Sequence, residues 1–292
     1  MSGNEININK LITKPNSDRS ANYEAQIAAF LDKTFNLRSL LEGIVVKIFS
    51  NHTKNTENFK EREDVMTEYG AIFDNDGTIV DTEPLHLEAR QTVLRELGII
   101  LTRDEYIEKW MARPTVVGIT ASCSERIVPS AERENTAKRI QEKYHELRRQ
   151  RLKLTPGFRE FLRAVHFKFT LAIATVQPRD SVFEGLRLVF TAKERMYFKL
   201  IVSGEDVKRN KPAPDVFLVT VEKLGIPVYK CVAFEDSVIG VQSAKNAGML
   251  CVARASEWTS QESLLSAGAD FVFQNDWDGI LASDVKTLFA RI

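Results

Sequence analysis

The spacing of apolar positions changes character twice along the chain. Between residues 85 and 154 it is helical: Leu85, Ala89, Val93, Leu94 and Leu97 share one face, and Ala137, Ile140, Tyr144 and Leu147 repeat at three-four spacing on another. Ser130 is placed to cap the second of these helices, with Glu132 and Glu134 in its first turn, where negative charge suits the helix dipole. Beyond Pro156-Gly157 short apolar runs take over, each followed by a helical stretch. Strands are expected at 169–174, 200–203, 231–234 and 250–253, with a last short one at 270–273. Helices are expected at 181–190, 214–224 and 237–247, the last stopped by Gly248. A further β-prone run, 69–73, stands before the helical block.

Strand and helix in strict alternation specify a parallel sheet covered on both faces, in which ligands sit at the carboxyl ends of the strands. The expected fold class is α/β, with an α-helical block inserted directly after the first strand. Upstream, residues 1–20 are polar, 23–31 form a weak helical pattern, 37–49 are apolar without a decisive period, and 51–64 are strongly polar. Residues 1–65 are therefore expected to be a partly disordered extension, and Met66 falls just before the first strand.

Composition narrows the function. The 40 Lys and Arg residues balance 40 Asp and Glu, so neither nucleic acid nor an anionic membrane is an expected partner. The basic run Arg148, Arg149, Arg151 and Lys153 closes a helical stretch and reads as a solvated face that suits the dipole. Three cysteines, Cys123, Cys231 and Cys251, are too few and too scattered for a disulfide framework or a zinc site. Cys231 and Cys251 lie in apolar runs and are expected as small core residues. No apolar stretch reaches the roughly 18 residues of a membrane span, and the amino terminus has no signal-peptide core. A reducing, cytoplasmic setting is the expectation.

The chemistry gathers at strand ends. Asp74 and Asp76 flank Asn75 and precede Gly77, after the run 69–73. Such a pair can act as nucleophile or metal ligand and as proton donor, although Asp-Gly is also ordinary turn chemistry. Thr175 ends the second strand, where a hydroxyl can hold a phosphate oxygen. Lys211 stands just before Pro212 and Pro214, which stiffen the start of the next helix. Glu235 and Asp236 end a further strand, with Ser237 placed to cap the helix that follows. Each residue alone has an unremarkable structural explanation. Their order on successive strand ends does not, and so dense a set of acids calls for a hard cation such as Mg²⁺.

The string Phe73-Asp74-Asn75-Asp76-Gly77-Thr78-Ile79-Val80-Asp81-Thr82-Glu83 resembles the first motif of the haloacid dehalogenase (HAD) superfamily, in its β-phosphoglucomutase-like branch. Acid pair, hydroxyl, lysine and acid pair also follow the order of that superfamily's four motifs. The resemblance implies a Rossmann-like core at 66–83 and 155–292 and a helical cap at 84–154. It implies Asp74 as a nucleophile forming an aspartyl-phosphate, Asp76 as general acid and base, and Thr175 and Lys211 as phosphate ligands. Mg²⁺ is implied on Asp74, the backbone carbonyl of Asp76 and Asp236, with Glu235 as a second candidate. The implied activity is hydrolysis of a phosphate monoester, a small phosphorylated sugar or polyol.

Alternatives follow from the same resemblance. Dehalogenases of the superfamily need no metal and lack the second acid, so Asp76 argues against that chemistry. No lysine of the cap is marked as the Schiff base of a phosphonate hydrolase. A sugar phosphomutase is implied by Thr82 and His86, but 110–115 departs from the pattern by which mutases grip a sugar phosphate. A regulatory protein with a retired site is the other alternative, supported by Asn75, where the family usually carries an apolar residue.

Overall fold

The computed structural model describes residues 68–111, 118, 128, 132–277 and 280, all within the unit Met66–Ile292. The extension at 1–65, Cys123, Ser130 and the departure from the mutase pattern at 112–115 lie outside the described residues.

Six strands form one sheet: β1 (Gly70–Phe73), β2 (Thr170–Ala174), β3 (Phe198–Val202), β4 (Cys231–Glu235), β5 (Leu250–Ala255) and β6 (Phe271–Gln274). Their order is β3-β2-β1-β4-β5-β6, and every neighbouring pair is parallel. Strand β1 is central, with Ile72 opposite Ala172 on one side and Ala233 on the other. A strand covered on both faces needs apolar side chains in both directions, and β1 and β4 are buried at every position.

The two faces are packed differently. Phe73, Leu171, Ile173, Val232 and Phe234 point into an aromatic layer with Phe158, Phe161, Phe190 and Trp277. Phe73 stacks on Phe234 at 4.7 Å between ring centroids and meets Phe158 edge-on at 5.6 Å. Their alternate neighbours, Ile72, Ala172, Ala174, Cys231, Ala233 and Cys251, face a layer of small and aliphatic side chains. Both cysteines are core residues there.

Trp277 is 1% exposed, packs within the aromatic layer and donates Nε1–H to Thr155 Oγ1 at 2.9 Å. Trp277→Ala should therefore cost about 3–5 kcal/mol, because the cavity cannot close between rings held by the sheet. A urea-unfolding midpoint close to that of the parent chain would refute this.

The helices on the sheet are α4 (Phe158–Val165), α5 (Arg179–Val189), α6 (Ala192–Arg195), α7 (Asp215–Leu224), α8 (Val238–Asn246) and α9 (Gln261–Ser266). Helix α4 was hidden in the sequence behind Pro156-Gly157, although Phe158, Phe161, Leu162 and Val165 keep helical spacing and are buried. Helices α6 and α9 are too short to carry a readable period.

Between β1 and α4 lie α1 (Glu83–Glu96), α2 (Arg103–Lys109) and α3 (Arg133–Arg151). They enclose a separate core of Leu85, Ala89, Val93, Leu94, Tyr106, Trp110, Ile140, Tyr144 and Leu147. Two details differ from the expected pattern. Leu97 leaves the buried face because α1 stops there, and Gly98, at φ 73°, turns the chain away. Helix α3 starts at Arg133, with Glu132 at its N-cap and no side-chain capping bond.

Arg148 is a larger correction. It is not part of a solvated face: its side chain is buried, with Nη1 donating to Glu184 Oε2 at 3.1 Å and Nη2 to the Ser181 carbonyl at 2.5 Å. Both partners lie on α5, so the guanidinium joins the inserted helices to the sheet layer. Among the described residues no helix is long and apolar enough to cross a membrane.

Candidate functional site

The carboxyl edge of the sheet is built around the loop that leaves β1. The Asp74 amide donates to the Phe234 carbonyl at 2.9 Å, which extends the β1–β4 pairing by one residue and fixes the Asp74 side chain between the strands. The chain then folds over itself, with Ile79 and Val80 amides donating to the Asn75 carbonyl. Gly77 is required in this loop on two counts. Its φ is 76°, and a Cβ there would stand 1.9 Å from Asp236 Oδ2. Thr155 Oγ1–H to the Thr78 carbonyl (2.6 Å) and Arg254 Nη1–H to the Gly77 carbonyl (2.9 Å) hold the loop from outside.

Lys211 joins three strand ends. Its ammonium donates to Asp74 Oδ1 at 2.6 Å, Glu235 Oε1 at 2.6 Å and the Ala174 carbonyl at 3.0 Å, which engages all three of its N–H groups. Burial alone would lower its pKa, but the Asp74 and Glu235 carboxylates outweigh burial and hold it above the ordinary value. Lys211 is therefore a permanent cation at this site.

The acids outnumber it. Asp74, Glu235 and Asp236 place carboxylate oxygens within 4.8 Å of one another. Burial raises the pKa of Asp74 against the pull of Lys211, and burial with the charges of Asp74 and Glu235 raises Asp236 well above its usual range. Burial first, and the charge of Asp74 second, push Asp76 up to about 7. A carboxyl that titrates near neutrality both gives and takes a proton efficiently.

Hard oxygen donors with unrelieved mutual repulsion fit a Mg²⁺ ion. The two acids ending β4 are not equivalent toward it. Glu235 accepts from Lys211 through Oε1 and from the Ser237 hydroxyl through Oε2 at 3.3 Å. Asp236 accepts only a 3.3 Å bond from Thr78 Oγ1 among the described residues.

Thr175 lies where the sequence placed it, buried at the end of β2 on the wall of the same cavity, with its Oγ1 accepting from the Gln177 amide at 3.2 Å. All six residues singled out in the sequence thus meet at one edge. Asn75, the unusual letter, is buried and donates Nδ2–H to Asp76 Oδ1 at 3.3 Å.

The cavity above these groups has a volume of about 480 Å³. Its far wall comes from the inserted helices, and apart from Glu83 and His86 its residues were not legible beforehand. Glu83, His86, Arg90, Tyr106, Trp110, Gln141 and Tyr144 line it. His86 stacks on Tyr144 with ring centroids 3.9 Å apart, and burial together with the nearby Arg90 and Arg148 charges keeps its pKa well below the usual value. The imidazole is neutral. Tyr106 donates its hydroxyl to Glu83 Oε2. In the sequence Glu83 and His86 stood in the stretch that carries the resemblance, whereas Arg90, Tyr106, Trp110, Gln141 and Tyr144 read as ordinary helix positions. Only the crossing of α1, α2 and α3 turns them to one space.

Comparison with known proteins places this geometry. The sequence pattern of the haloacid dehalogenase-like hydrolases matches residues 71–254. A phosphorylated carbohydrates phosphatase from Thermotoga maritima is 37% identical over 179 residues, which are 61% of this chain and 81% of that protein. A fructose-1-phosphate phosphatase from Escherichia coli is 31% identical over 187 residues, 62% of this chain and 93% of that protein. Among solved structures, a β-phosphoglucomutase-like protein from Thermotoga maritima superposes with a TM-score of 0.61 at 32% identity, covering 77% of this chain and 99% of its own. CbbY from Rhodobacter sphaeroides, in complex with phosphate, superposes with a TM-score of 0.59 at 28% identity, covering 71% of this chain and 94% of its own.

Proposed function

The chain belongs to the haloacid dehalogenase-like hydrolases, and we propose that it is a Mg²⁺-dependent phosphate monoester hydrolase acting on a small phosphorylated sugar or polyol through an aspartyl-phosphate on Asp74. One observation carries the reading: the Asp74 carboxylate is anchored by Lys211 at 2.6 Å on the wall of a cavity of about 480 Å³, with Asp76 on the same loop. Two of the similar proteins are phosphatases of sugar phosphates by name, which supports the substrate class.

The steps follow from charge and position. A carboxylate oxygen of Asp74 attacks phosphorus in line, the bond from phosphorus to the ester oxygen breaks, and Asp76 delivers its proton to the departing oxygen. Asp76, now ionised, removes a proton from water, which attacks the phosphorus and releases Asp74 and inorganic phosphate. Lys211 favours the ionised form of Asp74 against burial and opposes its repulsion from the phosphate dianion. Asp74, Asp236 and the Asp76 carbonyl would hold Mg²⁺, which supplies further neutralisation of the transferring phosphoryl group. In this reading Glu235 positions Lys211, and the Thr175 hydroxyl takes a phosphate oxygen.

Two results are expected. Phosphate release from a panel of sugar and polyol phosphates should require Mg²⁺ and vanish in EDTA. The same ion should raise the melting temperature at pH 7.5, since it relieves carboxylate repulsion only in the folded chain; at a hundredfold excess over its dissociation constant the gain is about 2.7 kcal/mol. Metal-independent release, or a melting temperature indifferent to Mg²⁺, would contradict the proposed ligand set.

A sugar phosphomutase is the second reading. It is favoured by His86, held beside the cavity by its stack on Tyr144, and by Thr82 at the N-cap of α1. Conversion of β-glucose 1-phosphate to glucose 6-phosphate without net phosphate release would select it.

A further inference from the structure

Arg90 has no assigned role in the reaction above, yet it is 6% exposed and lines the cavity that holds Asp74 and Asp76. Its guanidinium lies against two aromatic rings, 5.4 Å from the Tyr106 centroid and 5.7 Å from that of Trp110. Packing against the two rings shields the cation from water without using its N–H groups. One of these is engaged, Nη1 donating to the His86 carbonyl at 3.0 Å. Nε is buried without a hydrogen-bond partner among the described residues, and Nη2 has none there either. Nε and Nη2 together form the side-on fork that matches two oxygens of a carboxylate or phosphate.

A buried cation with an open fork is costly unless an acceptor meets it. Glu83 does not fill that role. Its carboxylate accepts from the Tyr106 hydroxyl and no ion pair joins it to Arg90 within 4.0 Å; burial raises its pKa, and the Arg90 charge only partly offsets that. Among the described residues no acceptor meets the fork, which leaves it free for an oxyanion of the substrate.

We infer that Arg90 is a specificity-determining residue whose Nε/Nη2 fork binds a second oxyanion, carboxylate or phosphate, on the part of the substrate that is not transferred. The inference rests on the hydrolase reading for which end reacts. The two ring contacts and the bond from Nη1 to the His86 carbonyl restrain the side chain, so the fork is held in the cavity wall before substrate arrives.

The test compares substrates differing only in the second anion, in the parent chain and in Arg90→Gln and Arg90→Lys. Fructose 1,6-bisphosphate is set against fructose 1-phosphate, and phosphoglycolate against ethyl phosphate, to separate a phosphate from a carboxylate. The parent should favour one doubly charged member, and Arg90→Gln should reduce that kcat/KM ratio about 30-fold, mainly through KM, as expected for a lost charge-assisted pair. Arg90→Lys should restore part of the ratio, since it keeps the charge and loses the fork. Absence of any preference in the parent overturns the inference. So does an Arg90→Gln variant that lowers both members equally, which would assign Arg90 to packing against Tyr106 and Trp110.

Calorimetric binding of fructose 1,6-bisphosphate and phosphoglycolate to Asp74→Asn, with and without Arg90→Gln, separates the two readings. If the parent hydrolyses nothing, the hydrolase reading fails, and unchanged binding on loss of Arg90 is what would overturn this one.

Discussion

Asp74→Asn should abolish phosphate release, by about 10⁴-fold or more in kcat, while leaving the fold as stable as before or slightly more so. The size of the loss follows from the role: an amide oxygen does not form the phosphoryl ester, and nucleophile replacements of this kind remove most of the rate enhancement. The stability expectation follows from the raised pKa of Asp74. An acid whose folded pKa lies above its unfolded value is ionised preferentially in the unfolded chain, so its charge weakens the fold above the unfolded pKa. Removing that charge relieves Glu235 and Asp236, and Lys211 keeps Glu235 and the Ala174 carbonyl as partners. Single-turnover phosphate release and urea unfolding check both parts. Release within tenfold of the parent would reject Asp74 as nucleophile, and a strongly lowered unfolding midpoint would make the loss one of folding.

Lys211→Met should do the opposite to stability. It leaves Asp74 and Glu235 buried without the cation that each contacts at 2.6 Å, and breaking a buried pair in this way costs about 3–5 kcal/mol. The sign of the pH dependence is definite. The raised pKa of Lys211 means that its contribution is fully present below the unfolded lysine pKa and is lost only as pH rises through the higher folded value. At the acid end the contribution fades for a different reason, because the carboxylates it serves become protonated, and Asp74 and Glu235 both have raised pKa values. The deficit of Lys211→Met should therefore be large at pH 8 and shrink toward pH 5, as read by unfolding midpoints at the two pH values. Activity should fall with it, as Asp74 would face the phosphate dianion uncompensated. A deficit independent of pH would mean that packing around the lysine stem, including its contact with Phe217, and not its charge, stabilises the fold.

The contrast between these two variants reflects how the site is made. Three carboxyl groups, Asp74, Glu235 and Asp236, are buried at one edge with Asp76 half-buried beside them, Lys211 pairs with only two of the four, and desolvation raises the pKa of each. Such a cluster is unfavourable by itself and persists because the aromatic and aliphatic layers on either side of the sheet hold the strand ends in place. The proposed chemistry thus sits on an electrostatically unfavourable edge of a well-packed core.

What was legible in the chain beforehand is what depends on neighbours close in sequence. The apolar runs at β1, β2, β4 and β5 declare buried strands because both of their faces must be covered, and the Gly and Pro positions around them mark the turns. Asp74, Asp76, Thr175, Lys211, Glu235 and Asp236 stood out because each follows such a run or opens the next helix, and the parallel sheet then brings the strand ends to one edge. Their grouping was readable from residue type and order, and the roles expected of them came from the resemblance to the superfamily's motifs.

The tertiary structure decided the rest. Lys211 meets Asp74 across 137 residues of sequence and Glu235 across 24, and no local period encodes which carboxylates share an ammonium. Arg148 reads as one more solvated cation of a basic run, yet the crossing of α3 over α5 buries it between Glu184 and the Ser181 carbonyl. Arg90, Tyr106, Trp110 and Tyr144 read as ordinary helix positions, and become a cavity wall only when α1, α2 and α3 close around their own core. The physical reason is the same in each case. Local sequence determines the period and boundaries of an element, whereas the partner of a buried polar side chain is set by packing among elements distant in sequence.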